Sequence, residues 1–217
     1  MSAIRRTRFR IAKVLGLLAL SPSGARAQAS SIARATTALD RVAAARNARK
    51  MSARFDPAFK KYSKRYFGPA FDWRLFKAQG FAESGLKPGA TSWVGARGVM
   101  QLMPSTYREI ASHRPEFGPI DQPEWNIAAG IMHDRYLWQL WQREVPDDER
   151  HRFMFGSYNA GEGTIARALT VARTRGGAPA WSTIEQVAPS VQHWRYTETL
   201  GYVRRIDSTY AWLSRPF

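Results

Sequence analysis

The stretch FDWRLFKAQGFAE, residues 71–83, followed by SGLKPG, residues 84–89, predicts a helix that ends beside a loop. Its apolar residues recur at helical spacing, and glycine and proline break the pattern directly after Glu83. Apolar neighbours at such a helix end disfavour the charged form of a carboxyl group and raise its pKa, which suits a general acid near neutral pH. A solvated glutamate is the commoner occupant of such a position, so Glu83 alone leaves both interpretations open.

The composition is that of a folded chain with about one domain. Its 217 residues suffice for one domain with a substantial core and an additional N-terminal segment. The 8 Trp, 8 Tyr and 11 Phe argue against disorder throughout the chain. The chain has no cysteine, which excludes disulfides, thiolate metal sites, a cysteine nucleophile and a lipid anchor on cysteine.

Residues 1–27 have the three parts of a cleavable export signal. A basic segment over residues 5–13 precedes an apolar run over residues 14–20, and Ala25-Arg26-Ala27 is a cleavage site of the A-x-A type. The apolar run is too short to span a bilayer. We therefore expect a signal peptide over residues 1–27, a mature chain that begins near Gln28, and a location in the periplasm. A surface helix is the alternative.

The net charge favours anionic partners. The full chain has a formal charge of +16, and residues 1–27 hold six basic and no acidic residues, so the mature chain keeps +10. For an exported protein, such a charge favours cell-wall polymers and anionic envelope surfaces as partners. The basic residues are scattered and no nucleic-acid-binding motif accompanies them, so nucleic acid is not an expected partner.

Helical periodicity runs through the rest of the chain. Residues 28–67 predict a basic helical N-terminal extension, whose aromatic stripe over residues 55–67 is expected to pack on the main domain. Within residues 68–217, helix patterns lie at about 70–83, 104–112, 126–143, 147–158, 161–174 and 197–213. No strand pattern of convincing length is present, and the region 86–97 is a candidate for a small β-hairpin. The predicted fold class is therefore all-α, a compact and mainly helical domain.

Three further segments combine glycines with polar side chains. Residues 92–104 contain two glycines three positions apart, and Gln101 offers a donor and an acceptor that suit an acetamido or hydroxyl group. Residues 155–163 end a helix pattern with Tyr158 and Asn159 before a glycine turn, and residues 198–203 contain Tyr202. Taken singly, each segment is equally consistent with a helix cap, a turn or a core tyrosine.

Together with Glu83, these segments resemble a known catalytic domain in their order and spacing. Residues 70–213 are similar to the soluble-type lytic transglycosylases, the goose-lysozyme-like murein lyases of family 23. The matching segments are 83–104, 126–130, 157–161 and 198–203. The first of them carries, without a gap, Glu83-Ser84, Pro88, Ser92, Gly95-Ala96, Gly98, Met100-Gln101 and Met103-Pro104. The resemblance implies a lysozyme-like fold with a substrate cleft over residues 68–217.

Smaller features resemble one branch of this family, the F type of membrane-bound lytic murein transglycosylases. These features are the residues 72–75, 145–150 and 175–181. That type carries an N-terminal solute-binding-like module, for which residues 1–67 offer too little chain, so we expect a stand-alone catalytic domain. The departures from the family pattern are mild: Val99 replaces Leu, Ser157 replaces Ala, and Glu162 stands where proline is frequent.

The resemblance implies cleavage of the β-1,4 bond between N-acetylmuramic acid and N-acetylglucosamine, with a 1,6-anhydromuramoyl product. Glu83 would be the only catalytic carboxyl group, acting as acid and then as base with assistance from the substrate's acetamido group. No second acidic residue stands at a family-matched position close to Glu83. The residues implied to bind substrate are Ser92, Gln101, Met103, Tyr158, Asn159 and Tyr202.

Further roles follow from the same resemblance. Tyr202 is expected to direct its hydroxyl toward Glu83, and Ser84 to brace the loop rather than touch substrate. Trp93 is a candidate sugar platform, although a tryptophan beside glycine often packs structurally. No cofactor or metal is implied, because the four histidines show no ligand spacing, and a monomer is expected. Two alternatives stay open: a hydrolytic goose-type lysozyme on the same fold, and a non-catalytic peptidoglycan-binding envelope protein.

Overall fold

The computed structural model describes residues 53–215, and helices dominate this part of the chain. In chain order they are α1 (Asp56–Phe67), α2 (Arg74–Ser84), α3 (Pro104–Ser112), α4 (Pro123–Leu140), α5 (Asp147–Ala160), α6 (Glu162–Thr174), α7 (Trp181–Val187) and α8 (Tyr196–Leu213), with a 3-10 turn at Ala188–Ser190 before α8. The predicted all-α class is confirmed. The predictions of a signal peptide over 1–27 and of a helix over 28–52 lie outside the described residues.

The first described helix belongs to the domain rather than to an extension. Phe59 and Tyr62 of α1 are fully buried, and α1 packs along α4. The ring of Phe67, at the end of α1, packs against that of Phe76 in α2, with the ring centroids 4.9 Å apart and the rings tilted by 52°. The expected packing of the aromatic stripe is confirmed. The compact unit therefore begins before α1 and not at residue 68, because these rings are part of its core.

Helix α2 crosses the centre of the domain and packs most extensively on α8. Gly80 allows α1 and the following loop to approach this helix closely, because a Cβ there would lie 2.9 Å from a Leu86 methyl carbon and 3.1 Å from the Phe59 ring. The helix starts at Arg74, whose backbone N–H donates to the Asp72 side chain at 3.0 Å. This local hydrogen bond precedes the first turn, and the helix begins four residues later than the apolar pattern predicts.

Two consecutive residues in the left-handed backbone region turn the chain at the end of α2. Gly85 has φ 63° and Leu86 has φ 60°. Glycine adopts this conformation without strain, whereas a leucine there costs about 1–2 kcal/mol. The buried position of the Leu86 side chain offsets that cost. The result is a sharp turn that leaves Glu83 at the edge of the helix bundle.

The segment between α2 and α3 is an irregular loop held by one buried amide. Asn126 of α4 accepts from the Met100 backbone N–H at 2.8 Å and donates to the carbonyl oxygens of Arg97 at 3.0 Å and Ile120 at 3.2 Å. Gly98 sits against this side chain, since a Cβ there would lie 2.4 Å from the Asn126 nitrogen. No strand forms within residues 53–215. The candidate hairpin at 86–97 is instead two isolated antiparallel bridges, 91 with 97 and 97 with 102.

The remaining predicted helices are confirmed with shifted ends, and one helix was missed. Helix α4 starts at Pro123, three residues before the predicted start, because proline suits a first helical position. Helix α7 has only seven residues and lies directly after a Gly/Pro-rich separator. Tertiary contacts fix it: its Trp181 backbone N–H donates to Glu149 at 2.8 Å, and the Trp181 ring packs against Gly156. No helix in the described part of the chain is long and apolar enough to cross a membrane.

Candidate active site

Glu83 lies in the last turn of α2, where the helix meets α8. Its Oε1 accepts a hydrogen bond of 2.6 Å from the Tyr202 hydroxyl, as the resemblance implied. The side chain keeps part of its surface open to solvent, although protein atoms surround its carboxyl group densely. A carboxyl group in such a position can exchange a proton with a ligand while most of its surroundings remain dry.

Burial raises the pKa of Glu83 from 4.5 to about 7. Two smaller effects act against burial: the hydrogen bond from Tyr202 stabilises the carboxylate, and the positive charge of Arg205 attracts it. At neutral pH both protonation states of Glu83 are therefore populated. This is the condition under which one group can both donate and accept a proton.

Tyr202 holds the carboxyl group of Glu83 in place. It is buried in α8, and burial together with the negative charge of Glu83 raises its own pKa well above the ordinary value. The hydroxyl therefore stays protonated and remains a donor. Its bond to a charged acceptor is of the stronger class, about 1.5–3 kcal/mol.

The loop over residues 98–101 borders the same site. Ser84, the neighbour of Glu83, donates its hydroxyl to the Val99 carbonyl oxygen at 2.8 Å, which confirms its expected role as a brace. Tyr158 of α5 donates to the Met100 carbonyl oxygen at 2.8 Å. Burial and then the charge of Glu83 raise the pKa of Tyr158 well above the ordinary value. The site around this loop therefore brings together Glu83, Tyr158 and Tyr202. The last residue of the loop is Gln101.

The loop fixes the conformation of Gln101 and leaves one atom of its side chain available to a ligand. Its backbone has φ 46°, and its Nε2 donates to the carbonyl oxygens of Gly98 at 2.9 Å and Ala90 at 3.2 Å. These two acceptors occupy both amide hydrogens and fix the orientation of the side chain. Its Oε1 remains the atom that can accept from a ligand N–H or O–H.

The other predicted binding residues make no hydrogen bond to Glu83 within residues 53–215. Ser92 is half-buried, and its Oγ accepts from the Ala96 backbone N–H at 3.0 Å, so its hydroxyl hydrogen stays free to donate. Met103 is 40% exposed at the start of α3. Asn159 is exposed at the end of α5, and its side chain makes no hydrogen bond within residues 53–215. Trp93 is 89% exposed, which removes the alternative that it packs structurally.

The sequence provided no signal for a second carboxyl group near Glu83, but the structure contains one. Asp134 of α4 is fully buried, and the charge of Glu83 is among the causes that raise its pKa well above the ordinary value. Its Oδ1 accepts from Gln79 Nε2 at 3.2 Å. Because it has no accessible surface, Asp134 cannot contact a substrate. Its proximity arises from the packing of α4 against the other helices, which a single sequence does not display.

The acidic and histidine side chains elsewhere do not form a metal site. Across residues 53–215, no group of three or more His, Asp or Glu side chains is arranged to hold a metal ion. His133 contacts the Tyr158 ring edge-on at 5.3 Å, and burial lowers its pKa. Glu162 begins α6, where a carboxylate interacts favourably with the helix dipole. We assign Glu162 no role in the site.

Comparison with known protein families gives a match over more than half of the chain. The family described as Transglycosylase SLT domain matches residues 57–179. The chain is 34% identical over 155 residues to a membrane-bound lytic murein transglycosylase F from Salmonella choleraesuis (strain SC-B67), covering 69% of this chain and 28% of that protein. The protein of the same name from Vibrio campbellii (strain ATCC BAA-1116) is 30% identical over 152 residues, covering 69% of this chain and 26% of that protein. The chain thus spans about a quarter of the length of these relatives.

A solved structure shares the fold. The 70 kDa soluble lytic transglycosylase from Escherichia coli superimposes with a TM-score of 0.57 at 24% sequence identity, covering 74% of this chain and 24% of that chain. This likeness confirms the lysozyme-like helical fold that the sequence predicts. The relatives confirm the predicted resemblance to the F type.

Proposed function

Because the chain belongs to the family of the transglycosylase SLT domain, we propose that it is a lytic transglycosylase that cleaves the glycan strands of peptidoglycan. The observation that carries this proposal is the state of Glu83. It belongs to a half-buried residue, its carboxyl group has a pKa of about 7, and a buried tyrosine donates to it at 2.6 Å. The names of the relatives, which are lytic murein transglycosylases, supply the substrate class.

The first chemical step uses Glu83 as an acid. Protonated Glu83 donates to the glycosidic oxygen of the β-1,4 bond between N-acetylmuramic acid and N-acetylglucosamine. The bond between that oxygen and the anomeric carbon breaks, and the N-acetylglucosamine part leaves as an alcohol. The acetamido oxygen of the muramic acid bonds to the anomeric carbon and takes up its positive charge, so no carboxylate nucleophile is needed.

The second step uses the same side chain as a base. Ionised Glu83 takes the proton of the C6 hydroxyl, and that oxygen attacks the anomeric carbon and displaces the acetamido oxygen. The product carries a 1,6-anhydromuramoyl end, no water is consumed, and Glu83 is protonated again. A pKa near 7 suits both steps, because neither protonation state is strongly favoured at neutral pH.

The surrounding side chains would bind the sugars on either side of the broken bond. Gln101 Oε1 can accept from an acetamido N–H, and the Ser92 hydroxyl can donate to a sugar oxygen. The free amide of Asn159 suits an N-acetyl group, and Met103 offers an apolar surface to a sugar face. Tyr158 acts through the loop, since its hydroxyl hydrogen is already donated to Met100. We further propose that the domain works in the periplasm, where it has access to peptidoglycan.

The proposal is tested by the release of soluble fragments from purified sacculi. We expect Glu83→Gln to abolish release, because glutamine cannot donate or take up the proton. Glu109→Gln is the matched control: Glu109 is exposed on α3, and the variant should keep the wild-type rate. Circular dichroism would establish that both variants are folded. Wild-type rates in the Glu83→Gln variant would refute the proposal.

The ends of the released fragments separate the alternatives. Anhydro ends identify a lytic transglycosylase, whereas reducing muramic acid ends identify a hydrolase on the same fold. Binding of sacculi without any soluble product identifies a non-catalytic binding protein. The raised pKa of Glu83 favours the two enzymes over the binding protein, because a binding surface does not need a titrating carboxyl group.

A further inference from the structure

The buried contact between Asp134 and Gln79 has no role in the reaction described above. Gln79 lies in α2, one helical turn before Glu83, and Asp134 lies in α4. Both side chains are fully buried, and Gln79 Nε2 donates to Asp134 Oδ1 at 3.2 Å. The contact joins the helix of Glu83 to a neighbouring helix at the level of the site.

Each side chain of this pair has one oxygen atom without a partner. Asp134 Oδ2 and Gln79 Oε1 are both buried and accept no hydrogen bond from any described residue. An ionised carboxylate can only accept, so the charged pair would leave two acceptors unsatisfied in a dry interior. A proton on Oδ2 turns that atom into a donor, and Gln79 Oε1 is the acceptor that the same side chain offers. One proton on Oδ2 can thus satisfy both of the atoms that lack a partner.

The electrostatic surroundings also disfavour a charge on Asp134. The titratable groups that face it are Glu83 from α2, Tyr158 from α5 and Tyr202 from α8, and none of them is a cation. Asp134 has no basic partner among residues 53–215. Burial and the charge of Glu83 raise its pKa well above the ordinary value, while the hydrogen bond from Gln79 acts in the opposite direction.

We propose that Asp134 is a positioning residue that stays protonated while Glu83 exchanges its proton, and that its reciprocal pair with Gln79 fixes α2 against α4. The catalytic part of this inference depends on the proposed function, whereas the protonated pair does not. A negative charge on Asp134 would repel the charge that forms on Glu83 in the first step. A neutral Asp134 avoids this repulsion and leaves Glu83 as the only carboxyl group that changes charge.

Infrared spectroscopy tests the protonated pair without any need for activity. The Glu83→Gln variant removes the carboxyl group of Glu83 from the spectrum. In this background we expect the stretching band of a protonated carboxylic acid to persist at pH 7 and to disappear in the Glu83→Gln/Asp134→Asn double variant. A spectrum at pH 7 without such a band in the Glu83→Gln variant would overturn the inference.

Enzyme kinetics test the positioning role. Asparagine at position 134 can accept from Gln79 and donate to it, so Asp134→Asn should keep the fold and rescue the activity that Asp134→Leu loses. We expect Asp134→Leu to lower kcat/KM by roughly tenfold or more, because a displaced helix moves Glu83 away from its reacting position.

The alkaline limb of the pH profile should coincide for Asp134→Asn and the wild type. A shift of that limb to lower pH in Asp134→Asn would overturn the inference, since it would mean that a charge had been removed. Failure of the wild type to release fragments would refute the proposed function. The infrared result would still decide whether Asp134 is protonated beside Gln79.

Discussion

Replacement of Glu83 by glutamine should make the protein more stable at pH 8 than the wild type and equally stable at pH 4. The folded wild type raises the pKa of this group from 4.5 to about 7 by burial. A carboxyl group whose pKa is raised on folding contributes its stability below the unfolded pKa and loses it as pH rises through the folded pKa. The loss therefore occurs between pH 4.5 and about 7.

The size of the effect follows from the same two values. The difference between 4.5 and about 7 corresponds to about 3 kcal/mol, since one pKa unit is worth about 1.4 kcal/mol. Glutamine keeps the size of the side chain and still accepts from the Tyr202 hydroxyl, but it has no charge to desolvate. The free energy of unfolding of the variant should therefore exceed that of the wild type by about 3 kcal/mol at pH 8.

Urea unfolding of both proteins, measured at intervals of one pH unit from 4 to 8, provides the comparison. A parallel pair, Asp134→Asn and Glu83→Gln/Asp134→Asn, removes the contribution of Asp134, whose pKa the charge of Glu83 helps to raise. Glu109→Gln, at an exposed glutamate of α3, is the control for the removal of a carboxyl group from the surface. A difference between Glu83→Gln and the wild type that stays flat across this range would refute the claim that burial sets the pKa of Glu83.

Three further predictions concern neighbouring residues. Tyr202→Phe removes a hydrogen bond that stabilises the carboxylate of Glu83, so the pKa of Glu83 should rise. The alkaline limb of kcat/KM, measured on soluble glycan as a function of pH, should therefore move up by about one pH unit. An unshifted limb would mean that Tyr202 does not set the pKa of Glu83. Asn126→Ala removes three hydrogen bonds from a buried amide and should lower the free energy of unfolding, measured by urea titration, by about 3 kcal/mol. A loss below about 1 kcal/mol would contradict the role of Asn126 in holding the loop. Trp93→Ala should raise the KM for glycan about fivefold and leave stability unchanged, while Trp212→Ala, at another exposed tryptophan, should change neither.

The sequence predicts most of the fold because its helices have local signals. Proline at the start of α3 and the glycines after α2 and α5 mark helix ends that the structure reproduces. Helix α7 has only seven residues and depends on the burial of Trp181 against Gly156, a contact between distant parts of the chain. The aromatic stripe of α1 predicts that this helix packs on the domain, but its partner, α4, is not visible in a local pattern.

The candidate site was predictable where chemistry coincides with a motif. Glu83 and Tyr202 stand in motif segments, and their hydrogen bond is present in the structure. Asp134 lies in the middle of a long helix and outside the motif segments, so its sequence context resembles that of any solvated aspartate. Asn126 stands in a motif segment, but the sequence does not reveal its structural role, because the three groups that it holds come from two different loops. Spatial proximity of this kind requires the folded structure.

The most direct test of the central claim is digestion of purified sacculi in water enriched in oxygen-18, followed by mass spectrometry of the muropeptides. If Glu83 takes the proton of the C6 hydroxyl and that oxygen closes the ring without water, the muramic acid ends will carry no label and will lack the mass of one water molecule. Incorporation of one labelled oxygen at each new end would contradict the account and show that water attacks the anomeric carbon.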